Sequence, residues 1–170
     1  MQQLGLQALL CEAGKSDNTE FVMKRLLMIP ILMLFCFPSM AKETARYGSV
    51  ILPDETILTM ELATTQEQWI RGLMYRHSLA PNTGMLFVYD HPAPYAFWMK
   101  DCFIHLDIIW LSEDKKIVYY VENIPPCDQP DCPSYGSMNM AKYVVEANPG
   151  TVKKHKLKLG DKIEIRIFGK

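Results

Sequence analysis

Between residues 50 and 168 the apolar side chains come in short runs, each stopped by a turn signal, and this spacing limits the fold more than any other feature. Val50-Ile51-Leu52 and Ile57 to Leu62 flank Pro53-Asp54-Glu55, which predicts a hairpin. Met85 to Tyr89, Phe97 to Met99, Leu106 to Leu111, Ile117 to Val121, Tyr143 to Glu146 and Ile163 to Phe168 are further runs of strand length. His91-Pro92-Ala93-Pro94 predicts a stiff loop, and Pro125 to Tyr135, with four prolines, predicts another. One segment breaks the pattern. Thr64-Thr65-Gln66-Glu67-Gln68 offers two overlapping capping boxes, Thr64 with Glu67 and Thr65 with Gln68. Trp69, Ile70, Leu73 and Met74 follow at helical spacing, so a helix is expected over about residues 65–75 that buries those four side chains and leaves Arg71 at its edge or in solvent. Thr151 is placed to cap one further short turn of helix. The expected architecture is a single mainly β domain, a compact β-sandwich or partly open barrel with one short helix near residues 65–75.

The folded domain is expected to begin well inside the chain. Met23-Lys24-Arg25 places two positive charges before an apolar run from Leu26 to Phe37. Ser39 and Ala41 then stand where the small residues of a cleavage site belong. Charged start, short apolar stretch and small-residue exit specify a signal peptide over residues 23–41. A helix of that apolar run would span only about 18 Å, short of the roughly 30 Å hydrocarbon core of a bilayer. Residues 1–22 read as an upstream start-site artefact and residues 42–170 as the mature domain. The expected destination is therefore outside the cytoplasm, periplasmic or secreted, with no stable membrane span after cleavage.

Export gives the cysteines their meaning. Cys127 and Cys132 share a proline-rich loop, and in an oxidising compartment they read as a local disulfide. A zinc site there would need two more ligands, and Asp128 and Asp131 are sterically crowded. Cys102 is left over and reads as a small buried apolar residue. The net charge of −1 excludes a partner held by bulk positive charge, so no nucleic acid is expected.

The densest chemistry lies in Phe97-Trp98-Met99-Lys100-Asp101-Cys102. On a strand Trp98 and Lys100 share a face, which suits a sugar ring or an anionic group. Asp107 sits among apolar neighbours, where a carboxylate is costly unless paired, and Lys100 or Arg71 is its natural partner. Cys102 and His105, three residues apart, face opposite ways on a strand and make a poor nucleophile–base pair. Met138-Asn139-Met140 presents two thioethers, which suit Cu(I), but no histidine stands at a fixed short offset. No metal site and no cofactor motif is read from the chain.

Several segments recur in a known order. Arg71 to Arg76 (R-G-L-M-Y-R), Gly84 to Tyr89 (G-M-L-F-V-Y), Phe97 to Cys102 (F-W-M-K-D-C), Leu106 to Leu111 (L-D-I-I-W-L) and Tyr143 to Gly150 (Y-V-V-E-A-N-P-G) precede a late Gly160-Asp161. Together they resemble the bacterial and archaeal family known as domain of unknown function 192, over about residues 48–168. The resemblance implies a compact β-sandwich-like domain, commonly exported, with no established reaction. Where the family pattern runs F-W-M-K-N-T and then I-P-L-D, this chain has Asp101-Cys102 and Ile104-His105-Leu106-Asp107.

These readings converge on an exported, monomeric, non-enzymatic domain. It is expected to bind an anionic sugar or envelope fragment through a shallow patch of Arg71, Arg76, Trp98, Lys100 and Asp107. The alternatives are an envelope hydrolase or transferase with Asp101 or Asp107 as general base, and a structural or partner-binding module.

Overall fold

The computed structural model describes residues 46–136 and 138–168. The expected signal peptide, start-site artefact and cleavage point lie outside the described residues. Among the described residues nine strands form, β1 (Tyr47–Ile51), β2 (Ile57–Ala63), β3 (Thr83–Ala93), β4 (Ala96–Trp98), β5 (Leu106–Leu111), β6 (Ile117–Ile124), β7 (Ser134–Gly136), β8 (Ala141–Ala147) and β9 (Glu164–Phe168). Two short helices join them, α1 (Gln66–Arg71) and α2 (Thr151–Lys154). Seven strands make one mixed sheet in the order β6-β5-β8-β3-β2-β1-β9, and β4 pairs with β7 in a separate ribbon.

The mainly β class holds, and α2 is the further short turn of helix expected at Thr151. The large sheet does not close into a barrel. Its two edges meet at one corner only, where Ile117 N donates to Asp161 O, Gly160 N to Ile117 O and Ile163 N to Lys115 O. One isolated bridge, Lys116 to Lys162, completes that contact.

The hairpin β1–β2 turns at Pro53-Asp54-Glu55 as the sequence predicts, with Glu55 at φ 67°. From β2 the chain crosses over through α1 to run β3 parallel to β2, the one parallel pair in the sheet. Strand β3 runs on past Tyr89 through His91 and Pro92, where a stiff loop is expected. A register irregularity between Val88 and Ala93 in its pairing with β8 spares Pro92 the ladder bond it cannot donate.

Helix α1 starts where expected and stops early. Thr65 caps it, Gln68 completes the box, and Gln68 Oε1 accepts from both Thr64 N and Thr65 N. Gly72 then takes φ +46° and ends the helix after Arg71. The expected four-residue apolar stripe is therefore cut in two. Leu73 is buried beyond the helix, while Ile70 stands 62% exposed.

The sheet is buried on both sides. One face carries Leu58, Met60 and Leu62 of β2, Ile109 and Leu111 of β5, Val145 and Ala147 of β8, and Val152 of α2. The opposite face carries Phe87 and Tyr89 of β3, Ile108 and Trp110 of β5 and Val144 of β8, with Phe97 of the ribbon packed on them. Phe97 meets Phe87 and Trp110 edge-on, at 4.9 Å and 5.7 Å between ring centres. All six residues of β5 are buried, as a strand covered on both faces requires.

Candidate functional site

Strand β8 lies between β5 and β3, and its side chains alternate between the two buried faces. Val145 and Ala147 take one face, so Glu146 joins Val144 on the other, under α1 and the ribbon. A carboxyl group is thus placed where only apolar atoms would rest without cost. Glu146 is 4% exposed and its Oε2 has no hydrogen-bond partner. Burial pushes its pKa up to about 8, against a smaller opposing effect of the Arg76 charge.

Above this carboxyl lies a cavity of about 290 Å³. Its walls include the rings of Trp69, Phe87, Tyr89, Phe97 and Trp98, together with Arg71 and Cys102. Each wall has its own support. The Trp69 indole N–H donates to Ala63 O at 2.9 Å, and its ring meets Tyr89 at 4.8 Å. Tyr89 stacks on Tyr95 at 3.5 Å, and burial raises the pKa of the Tyr89 hydroxyl. Gly72 closes the wall over Glu146, where a Cβ would stand 3.6 Å and 3.9 Å from the two carboxyl oxygens. Cys102 is a free, buried thiol pushed up to about 12, so it stays protonated, and His105 is exposed beyond it.

The ribbon that carries Phe97 and Trp98 is held by the expected disulfide. Cys127 and Cys132 are bonded. Cys127 also bridges to Lys100 and Cys102, and its carbonyl accepts from Asp101 N at 2.9 Å. Just beyond the bridge β7 pairs Tyr135 with Phe97 and Ser134 with Trp98. Asp101 takes φ 55°, a left-handed conformation that Asn and Asp tolerate better than other side chains. Asp101 also receives the Tyr75 hydroxyl at 3.1 Å.

Of the five residues read from the sequence, Arg71 and Trp98 line the cavity, and Trp98 stands half exposed at its mouth. Arg76 grips Glu61 through both guanidinium ends at 2.6 Å, and from there its charge reaches Glu146. Lys100 lies 3.2 Å from Asp101 and is not among the cavity walls.

Asp107 is fully buried on the opposite face of the sheet. Its partners are neither Lys100 nor Arg71 but the backbone N–H groups of Asn123 (2.8 Å), Gly150 (3.1 Å) and Val152 (2.8 Å). Two of these belong to the start of α2, whose cap is Gly150 rather than Thr151. The Thr151 hydroxyl donates instead to Asn148 O.

Glu146 is the candidate site residue that the sequence reading passed over, although it stands inside Y-V-V-E-A-N-P-G. Its signal was present as the one carboxylate in β8, directly after the apolar pair Val144-Val145. Among the described residues no three His, Cys, Asp or Glu side chains gather as a metal site, and no helix is long and apolar enough to cross a membrane.

Comparison with known proteins places this arrangement. No curated protein matches the sequence. A crystal structure from Sinorhizobium meliloti 1021, described as a "putative transcription regulator", is 34% identical with a TM-score of 0.62, covering 70% of this chain and 92% of that one. A protein of unknown function from Novosphingobium aromaticivorans is 29% identical with a TM-score of 0.61, covering 69% of this chain and 83% of that one. The model of the DUF192 family, described as uncharacterized ACR, matches residues 50–165 and so spans every strand from β2 to β8, the cavity walls and Glu146. On that match the chain belongs to the DUF192 family.

Proposed function

We propose that the protein is an exported, monomeric β domain whose cavity binds an anionic sugar or envelope fragment without transforming it. The observation that carries this reading is the cavity itself, a ring-lined hollow with one carboxyl group on its floor and one guanidinium in its wall. Small-molecule sites are mostly apolar concavities with a few convergent polar groups. Trp98 offers the ring face on which a sugar stacks, and Arg71 offers a fork of donors to an anion. Lys100 adds positive charge two residues along from Trp98, and Arg76 acts through Glu146. Asp107 keeps the role of holding α2 against the sheet. The disulfide supports an oxidising compartment, periplasmic or secreted. A net charge of −1 gives no footing for a partner held by bulk positive charge, such as nucleic acid.

The test is a thermal-shift screen of envelope sugars and small anions against the mature domain. A ligand is expected whose shift disappears in Arg71→Ala and Trp98→Ala. No shift from any ligand, or shifts that survive both changes, would refute the reading.

A second reading, an envelope hydrolase, is favoured by the raised acid of Glu146, since general acids are tuned in this way. Hydrolysis of a glycosidic bond by the two-carboxylate route needs a pair, and Glu146 is the one carboxylate among the described cavity walls. Product formation that Glu146→Gln abolishes would move the assignment to an enzyme.

A further inference from the structure

The inner end of the cavity carries the opposite chemistry to its mouth. Glu146 Oε2 lies on the floor with no donor, walled by the rings of Phe87, Tyr89 and Phe97 and covered by the Gly72 backbone. The groups around it leave its need unmet. Arg76, on the crossover after α1, spends both guanidinium ends on Glu61 of β2. Tyr89 of β3 and Cys102 of the loop before β5 are neutral groups held protonated by burial. Arg71, at the end of α1, is exposed at the rim.

A buried carboxyl with a vacant acceptor, set among ring faces, is complementary to a donor that carries positive charge. An ammonium group meets both needs, because it donates a charge-assisted bond to the oxygen and is attracted by ring faces. A hydroxyl would fill the acceptor and leave the carboxylate without a countercharge.

We infer that the ligand is a ring-bearing primary amine, of the amino-sugar class, seated with its ammonium group on Glu146 and its polar or anionic edge toward Arg71. This rests on the binding reading above and narrows its ligand class. The proton balance follows from the burial of Glu146. When the ammonium group enters, the Glu146 carboxyl gives its proton to the buffer and the amine keeps its own. About one proton is released per ligand at pH 6.5, and fewer as the pH passes the Glu146 pKa of about 8.

The experiment is calorimetric titration of the mature domain with matched probes. Cyclohexylamine and cyclohexanol share a ring and differ in charge, and the alkylamine stays protonated to about pH 9. Glucosamine and glucose repeat the comparison with a sugar at pH 6.5, in buffers of different ionisation heat. Each amine is expected to bind at least about tenfold tighter than its alcohol, with proton release. Cyclohexylamine affinity is expected to rise about fiftyfold from pH 6 to pH 8, as the ionised fraction of Glu146 grows from about 1% to about half. Glu146→Gln should abolish the proton release and the pH slope, and Trp98→Ala, at a half-exposed position, should weaken all four probes alike. Equal affinity for amine and alcohol, or a flat pH profile in the parent, overturns the inference. If anionic sugars still bind in that case, the binding reading survives alone; if no ligand of any class binds, both fall.

Discussion

Replacing Glu146 with glutamine should make the protein more stable, and increasingly so as the pH rises. Burial holds the folded-state pKa of Glu146 at about 8, above the ordinary 4.5. The native fold therefore prefers the protonated acid. That preference is fully present below about pH 4.5 and is lost as the pH rises through 8, where the carboxylate must ionise inside the fold or the chain must unfold to release the proton. The span from 4.5 to about 8 corresponds to about 5 kcal/mol, and no discount for solvent screening applies to so buried a group. Glutamine keeps the shape and carries no titratable proton. Between pH 5 and pH 8 the parent should lose about 3–4 kcal/mol relative to Glu146→Gln, a large share of a typical domain's 5–15 kcal/mol. Urea unfolding at four pH values, followed by tryptophan fluorescence, reads this directly. Parallel stability profiles for parent and variant across that range would refute the reasoning.

Asp107→Ala removes the acceptor of three backbone amides and should cost at least about 3 kcal/mol in urea unfolding; a loss below about 1 kcal/mol would contradict the capping role. Gly84→Ala would put a Cβ 2.1 Å from Glu146 O and force β3 from β8, so its melting temperature should collapse. Gly150→Ala meets open space and strains only a φ of +83°, so it should cost about 1 kcal/mol, and the reverse ranking of the two would count against the packing described. Arg76→Ala removes the charge that lowers the pKa of Glu146, so the pH at which stability falls should move upward.

Much of the fold was legible because local chemistry and tertiary structure agree. The β1–β2 hairpin follows from two apolar runs around Pro53-Asp54-Glu55, and the start of α1 follows from the Thr65–Gln68 box. The end of α1 was hidden, since helical spacing continues to Met74 while Gly72 turns the backbone out of the helix. Pro92 argued for a loop, yet within the register break of β3 its missing N–H costs nothing.

The site divides in the same way. Arg71 and Trp98 were readable as an exposed cation and a ring, and both reach the cavity. Asp107 was recognisable as a carboxylate in need of partners, but those partners are backbone groups of residues 123, 150 and 152, which no side-chain pattern reveals. Glu146 was missed because alternation alone sends a strand glutamate to solvent. Here the ribbon and the α1 crossover cover the second face of the sheet, and that layer is set by the disulfide and by aromatic contacts distant in sequence.

The most direct test is a carbon-13 NMR titration of the Glu146 side-chain carboxyl, with and without a ring-bearing amine such as cyclohexylamine. A midpoint of about 8 in the free protein, falling when the amine is bound, is the expected result. A midpoint near the ordinary 4.5, or one that bound amine leaves unmoved, would contradict an unpartnered acid at the floor of a ligand cavity.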